Sequence, residues 1–281
     1  MPDEKKELAV AGADLVAQLR ANSGEATGEA MKFIPILQVD NKKEKVTVEE
    51  REVDVLCKPR WKRTDRDENG EYAESIIPSF GGVVLKVMWQ VANDGKWDPN
   101  QNKMVSNDAP NFRSSLFHPD VFFGKKYLQI KYTGDSEFHK AGDLESLTYP
   151  ELKAKFPELF KLTGWVFFLH NNELVRLKVT GASRAPLFDF LKSFKANDSV
   201  SAHPTVCSAE YGDKPQPHNK ATFTVATDPN VPFDINQVLE FQDGLNKLFN
   251  TATSKIMEAM GGEVIAEEVH EDEIKVENIP F

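Results

Sequence analysis

Apolar and polar residues alternate through most of the middle of this chain, so its pattern predicts strands before helices. Residues 33–39 (FIPILQV) are apolar, and residues 45–57 (KVTVEEREVDVLC) alternate around Val46, Val48, Val53 and Val55. Residues 83–91 (VVLKVMWQV) are rich in β-branched side chains and follow the Gly81-Gly82 break. Residues 127–132 (YLQIKY) alternate and stop at Thr133-Gly134, which puts Tyr127, Gln129 and Lys131 on one face and Leu128, Ile130 and Tyr132 on the other. Residues 163–180 predict a hairpin, because Asn171-Asn172 tolerate the positive φ of a tight turn. A second hairpin is expected over residues 204–227, around the polar loop GDKPQPHNK.

Helical spacing is confined to three stretches. Residues 3–21 carry Leu8, Leu15, Val16 and Leu19, and residues 185–194 carry Leu187, Phe188, Leu191 and Phe194. Residues 233–260 carry Leu239, Phe241, Leu245, Leu248, Phe249, Ile256 and Met257, and Gly261-Gly262 stop them. The expected organisation is an N-terminal helix and linker over 1–30, a β-rich core over 31–232, a helix over 233–260 and a tail over 261–281. The fold class read from this order is mainly β, with α+β as the alternative. Five or more strands with long insertions fit a small closed or half-closed barrel with flanking helices. Those helices can pack within one chain or between chains, which leaves a homo-oligomer open.

Charge changes the picture at the end of the chain. The formal net charge is −10 over 281 residues, and 261–281 hold seven carboxylates against Lys275 alone. The tail thus accounts for −6 and the other 260 residues for −4. A tail of this composition cannot bury enough apolar surface to offset its ordering entropy, so it is expected to be disordered. Two cysteines, Cys57 and Cys207, fit a reducing compartment. Met1 to Lys6 are charged and lead into no apolar segment, and no run of about 18 apolar residues exists. A cytoplasmic protein with no membrane partner is expected, in a bacterium or a phage-infected host.

The tail ends in Ile279-Pro280-Phe281. Phe281 can fill an apolar pocket, Pro280 stiffens the approach, and the terminal carboxylate can pair with Arg or Lys. An acidic run closed by Ile-Pro-Phe resembles the C-terminal tip of bacterial and phage single-stranded DNA-binding proteins. The resemblance covers about the last eleven residues, and it departs from type where Glu277-Asn278 stands in place of aspartates. It implies that the body binds single-stranded DNA and that Ile279, Pro280 and Phe281 recruit replication, recombination or repair proteins. Among small barrels, the five-stranded OB-fold commonly binds single strands, so an OB-like core is the expected architecture.

The body offers matching chemistry. Residues 58–66 (KPRWKRTDR) are the densest basic stretch, with Trp61 among five cations. Cations that follow phosphates and a π-face for a base are what a single-strand groove needs. Lys58, Arg60, Trp61, Lys62 and Arg63, presented on a barrel-rim loop, are therefore the first candidates for DNA contact. Lys125, Lys126, Tyr127 and Lys131 form a second group, and Arg176 and Lys178 share a strand face in the hairpin. Phe122 and Phe123 read as core residues.

An enzyme is the weaker reading. His118-Pro119-Asp120 with Gln129-Ile130-Lys131 resembles a PD-(D/E)xK nuclease pattern, which needs carboxylates to hold Mg²⁺, but Gln129 replaces the second acid. The chain has no P-loop, no G-x-S-x-G and no H-E-x-x-H, and its six His are scattered. No catalytic residue, metal or cofactor is expected. A further alternative is an adaptor that uses the tail as an interaction motif and binds no nucleic acid.

Overall fold

The alternating segments become fifteen strands, and three α-helices accompany them among the described residues. In chain order the strands are β1 (Ile36–Val39), β2 (Lys43–Val48), β3 (Arg51–Leu56), β4 (Trp61–Arg66), β5 (Tyr72–Ile77), β6 (Ser79–Asn93), β7 (Lys96–Asp98), β8 (Lys103–Val105), β9 (Phe112–Ser114), β10 (Tyr127–Tyr132) and β11 (Leu144–Thr148). Helix α1 (Tyr149–Lys155) follows, then β12 (Lys161–His170), β13 (Glu173–Val179), α2 (Arg184–Lys192), β14 (Pro204–Gly212), β15 (His218–Val225) and α3 (Ile235–Ala259). This is a computed structural model, and it describes residues 34–67, 69–93, 96–98, 103–105, 110–123, 126–133, 139–157, 160–194, 198–212, 217–227 and 234–259. The helix expected over 3–21, the tail over 261–281 with its tip Ile279, Pro280 and Phe281, and Lys125 lie outside them.

The protein is mainly β, with a large mixed sheet, and no closed barrel forms among the described residues. The core expected over 31–232 divides between two compact units. One is drawn from Met1–Lys86 and Val166–Thr253, the other from Val87–Trp165 and Ser254–Phe281. Strands β6 and β12, 15 and 10 residues long, contribute to both.

In the first unit the strand order is β12-β13-β1-β4-β5, and the β14–β15 hairpin pairs with the start of β6. Strands β13 and β1 run parallel, while β4 is antiparallel to both β1 and β5. The predicted Asn171-Asn172 turn is present, with φ of 49° and 61°. One side of this sheet is core: Leu37, Trp61, Phe80, Phe168, Val175, Leu177 and Val179 are all buried. Gly82 is required there, because a Cβ at this position would lie 2.0 Å from the Leu169 carbonyl oxygen.

Two expectations change in this unit. Residues 45–57 form the β2–β3 hairpin and not one strand, with Glu49 and Glu50 turning at φ of 48° and 64°. Val48 and Val53 stand five residues apart, an odd spacing that breaks the period of two where the chain turns. Residues 61–66 are not a rim loop. They are strand β4, paired on both edges, because Trp61 is an apolar anchor for the core.

In the second unit β10 lies between β9 and β11, and β9 pairs with the end of β6. Leu128, Ile130 and Tyr132 are buried, as the alternation predicts. Trp89 packs edge-on to Phe122, which is core as expected, and exchanges backbone hydrogen bonds with Phe117. Helix α1 starts at a capping box: Thr148 Oγ1 accepts from the Glu151 amide, and the Glu151 carboxylate accepts from the Thr148 amide. Strands β7 and β8 form a separate small hairpin.

Candidate nucleic-acid interface

Strand register in the first unit gathers cations that are scattered in sequence. Lys62 stands opposite Gln38 and Ile76, Thr64 opposite Ile36 and Glu74, and Arg66 opposite Tyr72. Across the parallel pair, Ile36 is level with Arg176 and Gln38 with Lys178. Laterally paired residues point to the same side of a sheet, and side chains alternate along each strand. Lys62, Arg66, Arg176, Lys178, Tyr72, Gln38 and Thr64 therefore share the side opposite the core.

Among the described residues of β13, β1, β4 and β5, this side carries four cations and one carboxylate, Glu74, which accepts from Lys62 Nζ at 2.8 Å. Arg66 and Lys178 are exposed, while Lys62 and Arg176 are half-buried. Burial lowers the Arg176 pKa from its ordinary value, since a desolvated guanidinium loses hydration. Tyr72 is 65% exposed, and the Arg66 guanidinium lies 5.6 Å from its ring centroid. At one end a polar cleft of about 390 Å³ opens, lined by Gln38, Asn41, Lys178, Ser183, His218 and Asn219. It lies at the carboxyl ends of the parallel pair β1 and β13, where crevices form in parallel sheets.

The basic stretch splits. Lys58 is exposed between β3 and β4. Arg60 donates through Nε to Asp40 at 2.9 Å and through Nη2 to Glu44 at 2.7 Å. Its pKa rises, first through the Asp40 hydrogen bond. Arg63 lies on the core side of β4. It donates to Asp65, which raises its pKa most, and in a fork to Glu173 at 3.0 and 2.9 Å. Trp61 is 0% exposed and packs edge-on to Phe80 at 5.1 Å. The expectation that Trp61 offers a stacking face is therefore corrected: its ring fills the core, because β4 points odd-numbered residues inward.

In the second unit, Tyr127 is 64% exposed, and Lys126 and Lys131 are exposed beside it. Lys131 stands opposite Arg113 on β9, which adds a cation to that face. Gln129 shares it and donates to Ser146 Oγ at 3.0 Å. The side chain of Asp120 lies outside the described residues. Among the described residues, no group of three or more His, Cys, Asp and Glu is arranged to hold a metal ion.

Arg66 and Tyr72 are members of this face that the sequence candidates do not include. Arg66 was legible as the third member of the 62, 64, 66 alternation, but Tyr72 has no signal until β5 is seen to pair with β4. No helix among the described residues is long and apolar enough to cross a membrane. Compared with family models, curated proteins and solved structures, the chain matches none.

Proposed function

We propose that this protein binds single-stranded DNA without strong sequence preference, using the basic side of the β13-β1-β4-β5 sheet. The observation that carries the reading is the grouping of Lys62, Arg66, Arg176 and Lys178 with the exposed ring of Tyr72. Cations along a strand path bind phosphates, and a solvent-facing aromatic stacks on any base, so affinity is gained with little discrimination. An OB-like core enters the reading only as a small β-platform that presents an exposed strand-binding face. Tyr127, Lys126, Lys131 and Arg113 give the second unit a face of similar chemistry. The tip Ile279-Pro280-Phe281 recruits replication, recombination or repair proteins, and its acidic tether accounts for most of the chain's negative charge. The protein acts by binding and has no catalytic step; its expected compartment is the bacterial or phage-infected cytoplasm.

The test is titration with oligo-dT and with duplex DNA at low and high salt, using wild type, Arg66→Ala and Lys178→Ala. Strand-selective, salt-sensitive binding is expected. Each variant should flatten the slope of log affinity against log salt by about 0.7, the single-strand value for one phosphate contact. Equal binding to duplex, or slopes that match wild type, would count against this face.

A further inference from the structure

Helix α3 covers a cation of the first unit. Its inward positions Val238 and Leu245 are buried, and Phe249 packs edge-on to Phe167 at 5.4 Å. Gln242 donates to the Leu85 carbonyl at 2.9 Å and to Ser201 Oγ at 2.7 Å. Under the helix lies Lys86 of β6, which donates to Asn246 and sits 5.5 Å from the Phe249 ring centroid. No carboxylate pairs with Lys86 among the described residues. Its surroundings are a neutral amide, an aromatic ring and a helix that leaves it half-buried, and that burial lowers its pKa. A cation held this way keeps one amide hydrogen bond and one ring contact, has no charge to pair with among the described residues, and loses part of its hydration.

The position of α3 gives this arrangement a use. The two-residue turn at Asn171-Asn172 sets Phe167 opposite Arg176, so both side chains lie on the same side of the sheet. Phe249 touches Phe167 and Lys86 together. The helix therefore lies on the side of the sheet that carries Arg176 and Lys178. It has one structural weakness, Gly244 within its span, which costs about 1 kcal/mol relative to Ala in a helix interior. Beyond α3 the sequence runs directly into the acidic tail.

We propose that α3 is a displaceable cover, and that Lys86 is a phosphate-binding residue reserved for the DNA-bound state, when the helix lifts and the basic side of the sheet extends onto β6. The inference rests on the function proposed above and adds to it a regulated contact. In the free protein the helix partly covers Lys86, which is half-buried. Phosphate supplies the anion that Lys86 lacks, which offsets part of the lost helix packing, the rest coming from the contacts DNA makes along the uncovered face.

The experiment pairs stability with binding in Lys86→Met, using the full chain and oligo-dT. Met keeps the length of the side chain and removes the charge, so the free protein should melt roughly 1–3 °C higher. Affinity should fall severalfold, and the salt slope should flatten by about 0.7. Higher stability with weaker binding is the expected signature. Unchanged affinity and slope would overturn the inference while leaving the DNA-binding reading intact. Failure of wild type itself to bind oligo-dT would overturn both. Hydrogen exchange reads the same event independently: amides of residues 238–249 should exchange faster when oligo-dT is added, and equal or slower exchange rules out a lifting helix.

Discussion

Arg66 and Tyr72 face each other across the β4–β5 pair, the guanidinium carbon 5.6 Å from the ring centroid. The cation orients the ring, and the ring stays 65% exposed, so on the proposed function a base would stack on it next to a positive charge. Tyr72→Ala should weaken oligo-dT binding by about 1 kcal/mol, roughly fivefold, and to a similar degree for other base compositions. Because the ring is exposed, the thermal midpoint should move little. Fluorescence titration alongside a melting curve checks both, and a large loss of stability at constant affinity would reassign Tyr72 to the fold.

Trp61 is expected to give the reverse result. Its ring is fully buried against Phe80, which in turn packs on Phe168. Trp61→Ala should destabilise the protein by about 3–5 kcal/mol through lost burial and a cavity. Urea unfolding measures this, and at temperatures where the variant is folded its DNA affinity should stay close to wild type.

These two residues show what the sequence made legible and what it did not. Alternation identified the faces of β10 and the Asn-Asn hairpin, because period-two patterning and positive φ are local properties. It also listed Lys62, Arg176 and Lys178 as cations of interest. It could not say that they meet, since β1 joins β13 to β4 through pairings such as Ile36 with Arg176 and Ile36 with Thr64, the first of them 140 residues apart in sequence. The basic stretch misled for a related reason. Composition marks a run of charges, but strand formation sends Trp61 and Arg63 to one side and Lys62 to the other. Only pairing distinguishes Arg63, held in a fork by Glu173, from a cation turned toward solvent.

Gly82 fixes how closely β6 approaches β12. A Cβ there would meet the Leu169 carbonyl oxygen at 2.0 Å and Phe168 at 2.6 Å. The carbonyl cannot rotate away as a flexible side chain would, so backbone must shift. Gly82→Ala should cost about 1–3 kcal/mol, within the range for overpacked cores. A wild-type melting temperature in this variant would show that the two strands stand further apart.

Asp40 should make stability fall in acid. Burial pushes its pKa up, but hydrogen bonds from Arg60 and from the Lys42 amide outweigh that and hold it below the ordinary carboxylate value of 3.8. A carboxyl whose folded pKa is depressed stabilises the fold above its unfolded pKa, and that contribution is lost as pH falls through the folded value. Urea midpoints should therefore drop as pH goes from about 5 to 3. Asp40→Asn should lower stability at pH 7 by about 2 kcal/mol and remove part of the acid sensitivity. An unaltered pH profile in this variant would place the acid-sensitive groups elsewhere, with Glu145 and Glu151 next, since both are also depressed.

The tail should separate the two halves of the proposed function. Residues 261–281 carry a net charge of −6, and a tethered acidic segment competes with phosphates for a basic surface. Deleting 261–281 should leave oligo-dT affinity equal or higher at low salt, and the difference should shrink as salt screens the tail. Removing Phe281 alone changes one apolar side chain and leaves those seven carboxylates in place. DNA binding should then be unaffected, while capture of replication and repair proteins by immobilised full-length protein should be lost. Weaker DNA binding on deletion of the tail would mean that it contributes contacts and does not compete. Undiminished capture without Phe281 would remove the partner-binding role from Ile279-Pro280-Phe281 and leave the basic side of the sheet as the basis of the functional reading.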